Sequence, residues 1–411
     1  MKISVLSDLH FGYAYSYDLE DDSFTNAEEA IGKSLESDLI ILCGDIFDIR
    51  APKTQTWAKA LKILSKPLLK QNPGTKLVSC TKELKEISKR TLGHIPMVSI
   101  HGNHERLTKG EQNTVEALEN AGILVHLHLN SIIFEKDGVK VAIHGMSSVP
   151  ERYAKDIMNQ WNPTPVKDCF NILVLHQSID PYIYSPIEPP TLSTSNLPKG
   201  FDLIINGHLH THGMEQLSYT KLIMPGSTVI TQFQKSESEV EKAILQLAIG
   251  KDADIKFVPL ETSRKFFYHE VELNGIPVQD IAENKIRESL FSKEFAKKPV
   301  IRMKLTGRQM VNGKELVAIA NKFSDKAIVI FVKDMESPET VESMELLKNL
   351  KDQKFSIEEI GLNLLKKNLD NLHFESSFDY IDVFQLLSEG DMETTFSLLV
   401  GEQKSLPQFG R

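Results

Sequence analysis

The chain has 411 residues, 41% of them hydrophobic and 25% charged, with a formal net charge of −9. That length exceeds one ordinary core and predicts two or three globular domains, while no apolar run approaches the roughly 18 residues a membrane span needs. The acidic balance argues against a protein that coats nucleic acid through a general basic surface, yet leaves room for DNA met at a cationic site or through a partner subunit.

Met1-Lys2-Ile3-Ser4 runs straight into an apolar stretch with no room for a signal peptide, which predicts an intracellular protein, cytoplasmic in a prokaryote. From residue 1 to about 262 apolar strands alternate with helical stretches, as in strand-helix-strand units around a central sheet. Trp57, Ala60, Leu61, Leu64 and Leu68 mark a helix within 53–69, a candidate dimer contact or an ordinary core helix, and Val115 and Leu118 mark another before Gly122. Strands are predicted over 123–128, 131–135 and 139–143, the last two joined by a Lys136-Asp137-Gly138 turn. Between His176 and His208 runs a Pro- and Ser-rich stretch with Pro181, Pro186, Pro189, Pro190 and Pro198, read as a substrate-facing loop.

A second module spans 263–335, with strands at 266–273, 300–305 and 327–332 and helices at 278–291 and 314–323. A third region, 336–411, reads as a linker and helices: Ser356-Ile357-Glu358-Glu359 forms a capping box ahead of Ile360, Leu364 and Leu365, and helical patterns recur at 378–387 and 393–399. Cys43, Cys80 and Cys169 lack metal-finger spacing and read as packing thiols.

The chemistry lies in five short polar motifs: Asp8-Leu9-His10, Gly44-Asp45, Gly102-Asn103-His104-Glu105, His176 and Gly207-His208-Leu209-His210. Each follows an apolar run that reads as a buried strand, and strand ends in an open α/β sheet share one rim. Taken singly, Asp-x-His and Gly-Asp are common turn sequences; five such motifs in order behind five strands are not a common turn pattern. Phosphodiester hydrolysis needs a nucleophile, neutralised phosphoryl charge and a stabilised leaving oxygen, which two cations about 3.5 to 4 Å apart can supply. Asp45 is the candidate bridge, because Gly44 permits a tight turn off the strand, while Asp8/His10 and His208/His210 repeat an i, i+2 spacing that brings two ligands to one ion. This mix of imidazole, carboxylate and amide suits Mn²⁺, Fe²⁺ or Zn²⁺ better than Ca²⁺. His101, His126, His128, His144 and His212 read as structural or solvated, with His144 and His212 the first exceptions to consider.

At these residues the sequence resembles the calcineurin-like metallophosphoesterase superfamily. Ser7-Asp8-Leu9-His10-Phe11-Gly12, Gly44-Asp45-Ile46-Phe47-Asp48, Leu175-His176-Gln177 and Pro225-Gly226-Ser227-Thr228 narrow the resemblance to the Mre-eleven/SbcD family of DNA double-strand-break repair nucleases. It implies an α/β fold, a metallophosphoesterase β-sandwich flanked by helices, with a small α/β capping domain that binds DNA and a C-terminal helical region. It implies two Mn²⁺ per subunit, with Mg²⁺, Fe²⁺ or Zn²⁺ as alternatives, one held by Asp8, His10, Asp45 and His210 and the other by Asp45, Asn103, His176 and His208. His104 is then the catalytic histidine, acting at the leaving oxygen. Many members carry a second histidine where this chain has Asp48, which becomes a possible substrate-positioning residue. The implied function is 3′-to-5′ exonuclease and single-strand endonuclease work on DNA ends, as a homodimer beside a Rad-fifty type coiled-coil ABC ATPase bound by the C-terminal helices. Two other classes stay open: a phosphatase or phosphodiesterase for small esters, and a non-catalytic scaffold of the same fold.

Overall fold

Alternate residues of the N-terminal strands pack on opposite sides, and both sides are apolar. Ile3, Val5, Leu39, Ile41 and Cys43 face one core, whereas Leu6, Ile40 and Leu42 face another. Strands buried on both faces read as continuous hydrophobic runs, so these segments were legible as strands.

The computed structural model describes residues 1–14, 17–107, 111–183, 192–250, 252–291, 294–307 and 311–335, with 382–383, 395–396 and 398. The helices read at 356–369, 378–387 and 393–399 fall almost wholly outside the described residues, as does 184–191 of the Pro-rich stretch.

In chain order the strands are β1 (Lys2–Leu6), β2 (Leu39–Cys43), β3 (Lys76–Cys80), β4 (Met97–Ile100), β5 (Val125–His126), β6 (Asn130–Lys136), β7 (Val139–Met146), β8 (Phe170–Leu175), β9 (Ile179–Asp180), β10 (Leu192–Ser193), β11 (Leu203–Asn206), β12 (Gly213–Gln216), β13 (Lys221–Met224), β14 (Ala243–Ile249), β15 (Ala253–Pro259), β16 (Phe266–Leu273), β17 (Val300–Gly307) and β18 (Ile328–Met335). The α-helices are α1 (Asp22–Ser34), α2 (Thr54–Leu64), α3 (Lys89–Leu92), α4 (Thr114–Asn120), α5 (Glu151–Trp161), α6 (Lys235–Glu239), α7 (Val278–Leu290) and α8 (Gly313–Lys322).

Two sheets carry the N-terminal part. One runs β15-β14-β1-β2-β4-β5 and the other β12-β13-β11-β8-β7-β6-β3. Ile3, Val5, Ile41 and Val98 of the first meet Ile143, Ile172, Val174 and Ile205 of the second in a shared inner core. Ala27 and Ile31 of α1, Ala60, Ile63 and Leu64 of α2, and Val115 and Leu118 of α4 cover the outer face of the first sheet. Ala154 and Met158 of α5 cover Leu173, Leu175, Ile204 and Leu222 of the second. The β-sandwich flanked by helices is therefore the observed architecture, and the five motifs lie at the ends of strands from two facing sheets, not along the rim of a single open one.

Trp57 stacks obliquely on Phe47 with ring centroids 4.6 Å apart, and Ala60, Ile63, Leu64 and Leu68 are buried, so α2 is a core helix. Asn113 caps α4, its side chain accepting from Val115 N and Glu116 N while Glu116 returns the bond to Asn113 N. The three cysteines are free thiols. No helix among the described residues is long and apolar enough to cross a membrane.

Strands β16, β17 and β18 form a separate three-stranded sheet in the order β16-β17-β18, with α7 and α8 between them in sequence. The described residues fall into two compact units, the first within Met1–Val271, Ile276–Lys304 and Val311–Val332, the second including Glu272–Gly275, 305–307 and 333–335. Division into domains at about 262 and 335 remains our proposal.

Candidate metal centre

Register brings the motifs together. Leu6 pairs with Leu42 and Cys43 with Ile100, so β1, β2 and β4 end side by side, and Asn206 pairs with Leu175, which does the same for β8 and β11. Beyond these ends the backbone stays paired: Asp8 N donates to Gly44 O at 3.1 Å and His10 N to Asp45 O at 3.0 Å. Asp8, His10, Asp45 and His208 hold φ values of 52°, 45°, 49° and 75°, a left-handed region that side chains rarely adopt. Such backbone concentrates at functional sites, where surrounding structure over-determines it.

Two glycines make the approach possible. Gly44 has φ 91°, and a Cβ there would lie 2.5 Å from His176 Nδ1. A Cβ on Gly102 would lie 2.0 Å from Asp45 Oδ1. Neither position accepts another residue without pushing a candidate ligand aside.

Around Asp45 Oδ2 stand the Nε2 atoms of His176 at 3.3 Å, His10 at 3.9 Å and His104 at 4.0 Å. Asp8 Oδ1 is buried without a hydrogen-bond partner and faces Nε2 of His210 at 3.5 Å and of His10 at 3.9 Å. His10 Nε2 and His210 Nε2 are 3.2 Å apart. Asn103 Oδ1 lies 3.1 Å from both His176 Nε2 and His208 Nδ1. The structure thus gathers Asp8/His10/His210, His10/Asp45/His104 and Asp8/Asp45/His176 within binding distance of a cation, with Asn103 and His208 adjoining the third group.

The donor set fits divalent cations. Imidazole nitrogens that face each other, and a buried carboxylate oxygen that accepts no hydrogen bond, are costly arrangements unless a cation lies between them. The far side of each ring is also held as metal-ligating histidines usually are. His10 Nδ1 lies 3.1 Å from Asp48 Oδ1, His176 Nδ1–H donates to the Cys43 carbonyl at 2.7 Å, and a His210 ring that ligates through Nε2 donates Nδ1–H to Thr231 Oγ1 at 2.5 Å, with the Gln232 amide group at 2.9 Å able to accept once turned to present Oε1.

Charge accounts for the titration behaviour. Burial opposes ionisation of Asp8 and Asp45, yet neighbouring imidazoles hold both carboxyls below the usual range. Burial works against protonation of His176 too, but the Asp45 carboxylate outweighs it and raises the ring to about 9. His10 is raised likewise, burial being outweighed by Asp48 and Asp45, whereas burial keeps His210 below its ordinary value.

His104 differs from the buried histidines around it. Its side chain is 38% exposed, its backbone N–H donates to Asp45 Oδ1 at 3.0 Å, and its Nδ1–H donates to the Asp48 carbonyl at 2.5 Å. The remaining nitrogen, Nε2, faces the centre from the side open to solvent.

Several functional residues carried no recognised role in the sequence. Glu105 is fully buried and accepts three backbone N–H groups, from Gly102 at 2.8 Å, Asp45 at 3.1 Å and Phe47 at 2.8 Å. It ties the β2 and β4 loops together. Burial, followed by the Asp45 charge, pushes its carboxyl up to about 7. Its position inside Gly-Asn-His-Glu was the available signal. Lys242 is buried and donates to His210 O at 2.9 Å, Ser227 Oγ at 2.7 Å and Glu237 Oε1 at 2.7 Å, which ties the Pro225–Thr228 segment to the His210 backbone. No motif marks Thr231, Gln232 or Lys242.

The other histidines lie outside these groups. His101, His126 and His128 form a cluster of mutually tilted rings, with His101 Nδ1 3.0 Å from His126 Nε2 and burial holding His101 at about 3. His144 packs edge-on against Phe201 and His212 stacks on Phe257 at 4.3 Å, so both exceptions considered from sequence are packing residues.

Residues 1–212 match the model of the calcineurin-like phosphoesterase family. The chain belongs to this family. As a calcineurin-like phosphoesterase it is expected to use divalent metal, in keeping with the clustered side chains. It is 25% identical over 405 residues to the human double-strand break repair protein MRE11, covering 82% of this chain and 56% of that one. It is 26% identical over 326 residues to the DNA double-strand break repair protein Mre11 of Methanopyrus kandleri, covering 72% and 65%. The Neurospora crassa double-strand break repair protein mus-23 is 26% identical over 305 residues, covering 66% of this chain and 41% of that protein. The chain thus spans between 41% and 65% of the length of these relatives.

Proposed function

We propose that this phosphoesterase is a divalent-metal-dependent DNA nuclease that processes double-strand-break ends, with Mn²⁺ as the preferred ion. The carrying observation is the convergence of Asp8, His10, Asp45 and His210 beside Asn103, His176 and His208, and similarity to named double-strand break repair proteins supports the choice of substrate. When bound, two cations would neutralise phosphoryl charge and provide a nucleophile at neutral pH.

The chain's own residues do the rest. Asp45 would serve both cations, with Asp8, His10 and His210 holding one and Asn103, His176 and His208 the other. His104, anchored through Nδ1, holds its second proton at Nε2 in the imidazolium form and passes it to the departing 3′-oxygen. We further propose 3′-to-5′ exonuclease and single-strand endonuclease activity, a homodimer, and a coiled-coil ABC ATPase partner engaged by the region 336–411.

Asp48 acts here through its neighbours: its carboxylate orients His10 and its carbonyl orients His104. Asp48→Ala removes only the first of these. It is expected to lower metal affinity by about tenfold, the lower end of what outer-shell partners contribute, and to slow cleavage without abolishing it. Steady-state rates at saturating Mn²⁺ check this; near-complete loss with metal retained would make Asp48 a primary catalytic group.

The function is tested by incubating the full chain with Mn²⁺ on linear plasmid-length DNA, hairpin DNA and a small chromogenic phosphodiester. Cleavage of both DNAs, abolished by chelation, is the expected result. Turnover of the small ester alone would place the chain among phosphodiesterases for small substrates.

A further inference from the structure

The segment 230–233 is held from two directions. From the sandwich side, Glu237 Oε2 accepts the backbone N–H groups of Gln232 at 2.9 Å and Phe233 at 2.8 Å, and Lys242 neutralises Glu237. From β17 of the three-stranded module, Arg302 donates through one guanidinium nitrogen to the carbonyls of Gln232 and Phe233, both at 2.9 Å. The same two residues are thus clamped at both their N–H and C=O groups. Apolar contact reinforces the clamp, because Ile230 and Phe233 pack in one cluster with Phe266 of β16 and Val300 of β17. Tyr13 adds a hydrogen bond to the Thr231 carbonyl at 2.5 Å.

This segment is also what steadies His210. The ring turns Nε2 toward Asp8 and His10, which leaves the proton on Nδ1; there Thr231 Oγ1 at 2.5 Å accepts it, as does the Gln232 amide at 2.9 Å when turned to present Oε1. A displaced Gln232 backbone would carry its side chain away from the imidazole, and an imidazole that can rotate loses affinity for an ion.

We propose that Arg302 is a positioning residue that couples the three-stranded module to the cation centre through Gln232 and His210. Displacement of β17 would change the occupancy of the cation position that includes His210. The inference rests on the reading that this centre binds divalent cations.

A double-mutant cycle on the full chain tests it, with free Mn²⁺ followed by its EPR signal and folding by thermal melting. Arg302→Ala and Gln232→Ala are each expected to weaken Mn²⁺ binding about tenfold, as loss of an outer-shell partner does. The double variant is expected to bind no more weakly than the weaker single, because one acts through the other. Arg302→Lys keeps a donor for a carbonyl and is expected to recover most of the affinity while remaining folded. Unchanged Mn²⁺ affinity in Arg302→Ala, whatever its melting temperature, or multiplied effects in the double variant, would overturn the coupling. Absence of Mn²⁺ binding by the unaltered chain would instead overturn the metal reading beneath it.

Discussion

His104→Ala is expected to keep its divalent cations and lose DNA cleavage by roughly 10²- to 10⁴-fold, the usual contribution of a positioned general acid, whereas Asp45→Ala is expected to lose the ions as well. The difference follows from placement. Asp45 is buried and presents Oδ2 to three imidazoles at 3.3 to 4.0 Å, so its removal takes away the proposed bridging carboxylate. His104 lies at the open side, fixed by its Nδ1 and its backbone N–H. Metal analysis of the two purified variants alongside cleavage rates checks the assignment, and equal metal loss in both would show that His104 is a ligand.

The second large effect is expected at Glu105. Its carboxylate satisfies three buried backbone donors, and each donor left unsatisfied costs about 1 to 3 kcal/mol. Glu105→Ala should therefore destabilise the chain by about 3 kcal/mol or more and weaken cation binding, since Asp45 and Asn103 sit on the loops it joins. Glu105→Gln retains one acceptor oxygen but turns an amide N–H₂ toward a backbone donor, so an intermediate loss is expected. Chemical denaturation measures both. A loss below 1 kcal/mol in Glu105→Ala would mean that the loops hold their own conformation.

What was legible in the sequence was what burial on two faces imposes. The runs before Asp8, Asp45, Asn103, His176 and His208 are continuously apolar because both sides of each strand are covered. An apolar run does not say which sheet it joins, and so a single rim was expected where two sheets meet. Helix α1, whose buried face mixes Asp22, Ser23, Asn26 and Ser34 with Ala27, Ala30 and Ile31, and strand β15, where Ala253, Ile255 and Phe257 alternate with Asp254 and Lys256, are not among the predicted elements. At the centre, the seven ligand candidates and His104 stood on motifs because each needs a particular side chain. The supports did not: Gln232 and Phe233 receive Arg302 through backbone carbonyls, 70 and 69 residues away in sequence, and a carbonyl leaves no trace in residue identity.

A crystal grown in Mn²⁺ shows through its anomalous difference map whether two cations share Asp45. A shared Asp45 predicts two peaks per chain, about 3.5 to 4 Å apart, with Asp45 touching both, Asp8, His10 and His210 around one, and Asn103, His176 and His208 around the other. A single peak, or a pair that Asp45 does not bridge, would contradict it.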